Sequence, residues 1–274
     1  YHPWQLDADE AARIACDCED AARAVDPRIS NSEGATLYTQ ESSFIYGNSH
    51  GFVGGYPSTR HSLSCAVIAQ EGEQMQRDYW YDSGRLPSEL ADPAAIGRTA
   101  AERTLARLNG RQLGTRECPV LFRADVAPSL LRSLFGAIRG HAVYRKSTFL
   151  LDRVGEQIFP DWVQISEDPL RPRGQASAPF DNEGVATAYR ELVQNGILQG
   201  YLLDSYSARK LGLQSTASAG GVRNGGIVSS GQSFEELLRE MDRGVVVTEL
   251  MGQGTNPVTG DYSRGAAGFW VENG

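Results

Sequence analysis

The chain has few cysteines and no long apolar run. Its 274 residues include four cysteines, Cys16, Cys18, Cys65 and Cys118, too few for a dense disulfide framework. A chain of this length buries a sizeable core without cross-links, so we expect reduced thiols, as in the cytoplasm. No apolar run approaches the ~20 residues of a membrane span. The polar start YHPWQLDADE does not resemble a signal peptide.

The chain also lacks an excess of positive charge, with 26 Lys and Arg against 34 Asp and Glu. The formal net charge is -8 and the sequence pI is about 5.1. Nucleic-acid-binding surfaces usually carry a basic stripe, and attachment to anionic lipid needs basic segments. We therefore expect partners that are neither nucleic acids nor membranes.

Residues 1–110 have the pattern of a first domain in which helices cover a sheet. Apolar residues recur at helical spacing from Asp7 to about Val25, and a second helix is predicted from Asp92 to about Leu108. Three strands rich in Tyr, Phe, Thr and Val are predicted between the helices, separated by short turn sequences. They cover residues 36–47, 51–70 and 73–84. An antiparallel meander is the expected arrangement.

Residues 109–118 contain few apolar residues and are a candidate linker. Predicted strands and helices follow the linker, so residues 111–274 are predicted to form a second, β-rich domain. Its helices are predicted over Ser129–Arg139 and Ser233–Arg243, the latter with a capping box and with Gly244 after its end. Further features are a hairpin at Asn195-Gly196, a helical turn closed by Gly212, a glycine-rich loop over residues 220–231, and strands over residues 119–124, 162–168, 245–250 and 266–271. The predicted fold class is α+β, with antiparallel or mixed sheets and covering helices.

Two short motifs have catalytic or metal-binding alternatives. The sequence GNSHG around Ser49 matches the nucleophile elbow of hydrolases, but a strand rather than a helix is predicted after it, which favours a hairpin turn. His61 and Cys65 would share a helix face, but in a strand they lie about 13 Å apart, too far for one metal ion. Cys16 and Cys18 point to different sides of their helix, with Cys18 expected in the core.

Three other features have structural and functional interpretations. The glycine-rich loop precedes a helix N-terminus, which can hold an anion, but it lacks the other signs of a phosphate loop, which favours a flexible loop. The carboxylates of DRVGEQIFPDW and PFDNEGV are expected to be solvated turn residues, since acid–base work needs convergence in space. Arg145 and Lys146 directly follow the helix that starts at Ser129. They could offset its dipole or line a site for a peptide carboxylate.

Several long peptides, taken together and in order, resemble the TldD/PmbA family, and more closely its PmbA branch, also called TldE. They are GNSHG, GYPSTRHSLS, VYRKSTFLLD, PFDNEGV, SYSARKLGL, VVTELMGQG and TGDYSRGAAGFWVENG. The resemblance covers nearly the whole chain. It implies an N-terminal domain before this sequence and a tail after it, so that the chain is expected to be a piece of a longer protein.

The resemblance implies a bacterial cytoplasmic metalloprotease of two subunits, associated with peptide maturation and degradation. The TldD-like subunit carries a zinc-binding His-Glu-x-x-x-His helix, and the PmbA-like partner lacks it. Placed on this chain, the three positions of that motif fall on Arg132, Ser133 and Ala137. A guanidinium stays protonated, a serine hydroxyl is no substitute for a carboxylate base, and alanine offers no ligand. We therefore expect no catalytic residue, no metal ligand and no cofactor in this chain, with zinc in the partner.

The expected function is that of a PmbA/TldE-like, non-catalytic subunit that pairs with a TldD-like chain and helps enclose a peptide. Five residues in the matching motifs are predicted to line the peptide or the partner: Arg145, Lys146, Asp261, Tyr262 and Arg264. An alternative is a non-proteolytic adaptor linked to DNA gyrase or to toxin–antitoxin systems. A third is an independent hydrolase that uses Ser49.

Overall fold

A computed structural model describes all 274 residues and divides into two compact units. The first unit comprises Tyr1–Ile45, Val53–Gly114 and Arg173–Gln175. The second comprises Tyr46–Phe52, Thr115–Pro172 and Ala176–Gly274. Each unit therefore includes one short segment that lies, in sequence, within the other.

The first unit is built on a sheet of three long strands with two helices. The elements are α1 (Ala8–Arg23), β1 (Ile29–Gly47), β2 (Val53–Glu71), β3 (Gln74–Gly84) and α2 (Pro93–Ala106). The strand order is β1-β2-β3, and β2 runs antiparallel to β3 from His61 opposite Gly84 to Glu71 opposite Gln74. Asp7 caps α1 and Asp92 caps α2, each by accepting a hydrogen bond from a backbone amide in the first turn.

The core of the first unit comes from alternation in β2 and from small residues on the helices. Leu63, Cys65, Val67 and Ala69 are all buried, as period-2 spacing requires of one strand face. The two helices lie so close that a β-carbon on Gly97 of α2 would collide with the Cys18 carbonyl of α1. The remaining buried members of this core are Cys18, Ala22, Ile29, Ile96, Ala100, Ala101 and Leu108.

The second unit has shorter elements. They are β4 (Val120–Phe122), α3 (Pro128–Ala137), α4 (Gly140–Tyr144), β5 (Ile165–Glu167), β6 (Arg190–Gln194), β7 (Ile197–Leu198), α5 (Ser205–Leu211), β8 (Gly225–Ile227), α6 (Phe234–Met241), β9 (Gly244–Met251) and β10 (Gly265–Val271). One sheet has the order β10-β9-β4, with β9 antiparallel to β10 and parallel to β4. The other, β7-β6-β5-β8, is antiparallel throughout.

The core of the second unit packs α3 against the β7-β6-β5-β8 sheet. Leu134 and Ile138 supply the apolar stripe of the helix, and Ile165, Val193 and Leu198 supply the sheet side. All five are buried, with Ile138, Val193 and Leu198 fully so. The apolar stripe noted in the sequence is therefore a packing face.

The α+β fold class, with antiparallel and mixed sheets and helices, is confirmed. The Asn195-Gly196 hairpin is also confirmed, with φ of 52° and 74°, the two positive values that a type I′ turn requires. Gly212 ends α5 in the left-handed conformation. The capping box of Ser233 and Glu236 forms at the start of α6.

Three predicted boundaries are wrong. The helix predicted over Ser129–Arg139 ends at Ala137, and a separate helix, α4, follows it. The two helices are separate because the backbone of Arg139 is extended and the Gly140 amide donates a hydrogen bond to the Leu202 carbonyl. Asp242, at φ 55°, ends α6, whereas Gly244 already belongs to β9. Part of the predicted glycine-rich loop is strand β8, which pairs with β5.

Candidate functional site

Helix α3 follows strand β4, the placement that the family resemblance assigns to a zinc-binding helix. Arg132 is exposed, the Ser133 hydroxyl donates to the Ser129 carbonyl at 3.3 Å, and Ala137 is 1% exposed. The three side chains thus offer a cation, a hydroxyl engaged with its own helix and a buried methyl group. This donor set does not fit a zinc ion, which takes neutral imidazole, thiolate or carboxylate ligands.

The rest of the chain also lacks a cluster that suits a metal. No group of three or more His, Cys, Asp and Glu side chains is arranged to hold an ion. His61 and Cys65 both lie buried in β2, four residues apart along the strand, as the sequence predicted. The His61 ring is instead held by the Thr39 hydroxyl at 2.8 Å and the His2 carbonyl at 2.9 Å, which is a structural role.

The two buried thiols of the first unit, Cys18 and Cys65, are neighbours. A hydrogen bond to Cys65, together with burial, raises the pKa of the Cys18 thiol. Both are free cysteines, and Cys16 is exposed, as its helical position predicts. The same hydrogen bond lowers the pKa of the Cys65 thiol, while burial acts in the opposite direction.

Ser49 lies in the turn between β1 and β2, and the next element is a strand. The Asn48 side chain accepts hydrogen bonds from the backbone amides of His50 and Phe52, and Gly51 has φ of 88°. These are features of a hairpin turn, so the nucleophile elbow is excluded by its context.

Arg145 and Lys146 follow α4, not α3, so the prediction that they directly follow the helix starting at Ser129 is wrong. Arg145 is the C-cap of α4, and Lys146 has φ of 55°. The Arg145 guanidinium lies 5.7 Å from the ring centre of Tyr144, and its Nε donates to the Tyr144 hydroxyl at 3.2 Å. Both cations are exposed.

Helix α5 extends this arrangement into a row of two adjacent rings with a cation at each end. Tyr206 meets Tyr144 edge to face at 5.7 Å between ring centres. The Lys210 ammonium lies 5.5 Å from the centre of the Tyr206 ring. The row Arg145, Tyr144, Tyr206 and Lys210, which we call the cation–aromatic row, joins α4 to α5. It includes one of the two lysines of the chain, and the other, Lys146, is adjacent to it in sequence.

The other three predicted site residues lie in the loop between β9 and β10. Asp261 accepts a hydrogen bond from the Thr259 hydroxyl at 2.6 Å, and the Arg264 side chain donates one to the Met251 carbonyl at 3.5 Å. The backbone of Tyr262 forms an isolated antiparallel β-bridge with Thr255. Asp261 thus stabilises its own turn. The Tyr262 ring is 39% exposed and available for contact.

Phe149 brings this loop next to the turn that holds Arg145 and Lys146. Its amide donates to the Pro257 carbonyl at 3.0 Å, and its ring lies against Gly260, where a β-carbon would come within 3.1 Å. Both groups of predicted residues therefore belong to one region of the second unit. Phe149 itself was not predicted, since its pairing with the loop spans more than a hundred residues.

The motif PFDNEGV supplies a buried structural carboxylate, whereas the sequence favoured solvated turn acids. Asp181 is fully buried and accepts hydrogen bonds from the backbone amides of Glu183, Val185 and Ala219 at 2.9–3.1 Å. Glu183 accepts from the amide of Ser205 at the start of α5. With these donors in place, Asp181 organises loops and is not placed for acid–base chemistry.

A second buried carboxylate, Glu167, holds the glycine-rich loop. It is 5% exposed, pairs with the Arg190 guanidinium and accepts from the Arg223 amide at 3.1 Å. The Arg223 side chain donates to the carbonyls of Ala219 and Gly221 at 3.1 Å. The start of the loop is therefore held by side-chain hydrogen bonds, and Gly220 and Gly221 there have φ of 96° and 103°. The sequence did not indicate Glu167, Arg190 or Arg223, because the hydrogen bonds that Glu167 accepts come from residues distant along the chain.

The class of protein follows from both parts of the chain, which match models of one group of metallopeptidases. Residues 1–108 match the PmbA/TldA metallopeptidase central domain, and residues 115–274 match the PmbA/TldA metallopeptidase C-terminal domain. The chain therefore belongs to the PmbA/TldA metallopeptidase family.

Curated relatives agree with this assignment. The chain is 54% identical over 274 residues to the metalloprotease PmbA of Escherichia coli O157:H7, and 48% identical over 282 residues to a PmbA homologue of Haemophilus influenzae. Each alignment covers 100% of this chain and 61% of the relative. The chain thus spans about three fifths of the length of these relatives.

Solved structures share the fold. A candidate modulator of DNA gyrase from Bacteroides thetaiotaomicron superposes with a TM-score of 0.93 at 29% identity, covering 98% of this chain and 61% of that one. TldE from Thermococcus kodakarensis gives a TM-score of 0.85 at 24% identity, covering 98% and 63%. No helix of this chain is long and apolar enough to cross a membrane.

Proposed function

We propose that this chain is part of the non-catalytic subunit of a two-subunit cytoplasmic metalloprotease, whose TldD-like partner holds the zinc. The observation that carries the proposal is the chemistry of α3, where Arg132, Ser133 and Ala137 stand at the positions of the expected ligands and base. The relatives are named metalloproteases, so the fold belongs to a proteolytic system. In this proposal the chain contributes contacts to a peptide and to the partner and takes no part in bond cleavage.

The contacts proposed for peptide or partner lie on the region around Phe149. Arg145 and Lys146 supply positive charge there, and Tyr262 supplies an exposed ring. Asp261 and Arg264 hold the loop that presents Tyr262. Such a mixture of ring faces and cations suits an extended peptide with a carboxylate, because guanidinium groups bind carboxylates strongly.

The central experiment measures zinc content and peptide hydrolysis for the full-length protein alone and together with its TldD-like partner. We expect neither bound zinc nor hydrolysis in the protein alone, and both in the pair. Stoichiometric zinc and turnover by the single protein would contradict the proposal.

A variant pair tests which residues of the second unit take part. Arg145→Glu with Lys146→Glu is expected to lower hydrolysis by the pair at least ten-fold, through weaker peptide binding or weaker assembly. Arg171→Glu is the matched control, since Arg171 is exposed on the same unit and its side chain forms no ion pair. Arg132→Ala with Ser133→Ala should leave hydrolysis unchanged, and a large loss in that variant would mean that α3 acts in catalysis.

A second candidate function is a non-proteolytic adaptor that binds gyrase. It is favoured by the description of two related structures, from Bacteroides thetaiotaomicron and Thermotoga maritima, as candidate modulators of DNA gyrase. Co-purification with the full-length protein distinguishes the two functions: a TldD-like chain supports the protease subunit, and gyrase without such a chain supports the adaptor.

A further inference from the structure

A pocket of about 760 Å³ opens in the second unit, and neither α3 nor the loop between β9 and β10 lines it. Its volume lies within the range of about 300–1,000 Å³ that is typical of small-molecule sites. The apolar part of the lining comes from Val154, Leu192, Tyr201, Leu203 and Leu213. Leu192 and Leu203 are buried, whereas Val154 and Leu213 are 45% and 52% exposed. Buried apolar walls with exposed apolar edges are typical of a surface that is covered by a ligand.

The positive charge of the lining is already neutralised within the protein. Arg190 is the only cationic lining residue, and its Nε and Nη2 donate to the Glu167 carboxylate. Its Nη2 also donates to the Ser218 hydroxyl at 3.0 Å. This buried ion pair leaves no net charge on that wall of the pocket.

The negative charge of the lining has no such partner. Asp152 and Glu191 are both exposed lining residues, and neither forms an ion pair or accepts a side-chain hydrogen bond. The Tyr201 hydroxyl donates to the Leu150 carbonyl at 2.9 Å, and Asp152 is close enough to interact with that phenol. The pocket therefore combines apolar walls with two uncompensated carboxylates.

We propose that this pocket binds a cation with a hydrocarbon body, with the hydrocarbon against Leu192, Tyr201 and Leu203 and the positive group beside Asp152 and Glu191. Burial of the hydrocarbon against these apolar walls supplies affinity. The two carboxylates select the sign of charge, and the net charge of -8 favours the approach of a cation. A basic residue of a peptide and a free alkylamine share this chemistry. The inference does not depend on the proposed protease function.

A substitution at Gly200 can reduce the free volume of the pocket. It lines the pocket, and a β-carbon built on it would have no atom within 4 Å. A larger side chain there meets no neighbouring atom, so Gly200→Leu is expected to obstruct the part of the pocket beside residue 200, to weaken binding there and to leave the fold intact. Gly136→Ala, in α3, is the matched control, since it also has free space around its β-carbon position and lies outside the pocket.

The test compares three probes with the same hydrocarbon body: n-hexylamine, n-hexanol and n-hexanoate. Binding to the protein is followed by the NMR shifts of the Gly200 and Thr216 amides. We expect hexylamine to bind at least five-fold more tightly than hexanol, and hexanoate not to bind. Asp152→Asn with Glu191→Gln should reduce hexylamine to the affinity of hexanol, whereas the exposed, unpaired control Asp161→Asn should change nothing.

Several outcomes would overturn the proposal. They are no binding by hexylamine, equal binding by hexylamine and hexanoate, or hexylamine binding that Gly200→Leu does not weaken. The source of the cation is tested with acetyl-Leu-Lys-Leu-amide. Binding at least ten-fold tighter than hexylamine supports a peptide residue as the natural occupant, and binding weaker than hexylamine supports a free amine.

Discussion

The two units reach their stability by different means. The first has strands of 19, 19 and 11 residues and a single core of aliphatic and small side chains. The second has strands of two to eight residues, and its loops are held by the buried side chains Asp181, Glu167 and Arg223. Backbone pairing and close packing organise the first unit, whereas side-chain hydrogen bonds to loop backbone organise the second.

Because of this difference, different kinds of substitution should destabilise each unit. Long regular pairing satisfies backbone groups locally, so the first unit should be most sensitive to changes in volume. A carboxylate that satisfies several buried amides cannot be replaced by packing, so the second unit should be most sensitive to loss of polar atoms. Four substitutions test this contrast, in order of decreasing effect.

Asp181→Ala should be the most damaging. It leaves the amides of Glu183, Val185 and Ala219 without an acceptor, and each buried unsatisfied donor costs about 1–3 kcal/mol. We expect a loss of about 3–5 kcal/mol in the free energy of unfolding, measured by urea denaturation, with faster hydrogen exchange at these amides. The exposed Asp161→Ala is the control, and equal effects of the two changes would refute the role of Asp181.

Gly97→Ala should have the next largest effect on the free energy of unfolding, and it acts on the first unit. The added methyl group would meet the Cys18 carbonyl, so α1 and α2 must move apart at a cost of about 1–3 kcal/mol. Urea denaturation measures the loss. Gly136→Ala is the control and should stabilise the protein by about 0.5–1 kcal/mol, because its site is open and helical. A neutral Gly97→Ala would mean that the helices are not closely packed in solution.

Ser233→Ala should have a smaller effect, confined to one helix of the second unit. It removes the oxygen that accepts from the Glu236 amide, at a cost of about 1 kcal/mol. Ser233→Asp preserves an acceptor and should retain most of the stability. If both variants lose the same amount in urea denaturation, capping is not the reason.

The smallest effect concerns an exposed ion pair in the first unit. A hydrogen bond from the Arg28 side chain lowers the pKa of Asp26 to about 2. A lowered folded-state pKa stabilises the protein above the unfolded value of 3.8, and this contribution is lost as the pH falls from about 3.8 to 2. NMR titration of the Asp26 carboxyl should show this, and Arg28→Gln should return the pKa towards its usual value. An unchanged pKa in Arg28→Gln would exclude Arg28 as the cause.

Local patterns were enough to predict most helices and strands of both units. They did not predict the buried side-chain hydrogen bonds that hold the loops of the second unit. The helix at Asp92-Pro93 and the strand from His61 to Ala69 follow from capping residues and period-2 alternation, which neighbours in sequence supply. The start of β1 at Ile29 was missed because Asn31-Ser32-Glu33-Gly34 looks like a loop. Pairing with β2 makes it a strand, as the hydrogen bond from the Gln70 amide to the Arg28 carbonyl shows.

The candidate site shows the same division. Once the family resemblance had assigned the motif to α3, the identities of Arg132 and Ala137 were enough to predict that neither side chain offers a metal ligand. The contact of Phe149 with the loop between β9 and β10 could not be predicted in this way, since Phe149 and Pro257 lie more than a hundred residues apart in the sequence. One signal was available and missed: Asp204 and Ser207 form a capping box at α5, with serine in the position that glutamate usually takes.

The parallel pairing of β4 with β9 has a kinetic consequence. Val120 pairs with Val245, so this sheet cannot close until nearly the whole described chain has left the ribosome. The β2–β3 pairing of the first unit joins residues at most a few tens of positions apart. Because distant contacts form slowly and domains fold as units during synthesis, the first unit should form early. Strand β4 therefore stays unpaired until β9 has been synthesised, so the nascent second unit exposes an unpaired strand for longer than the first unit does.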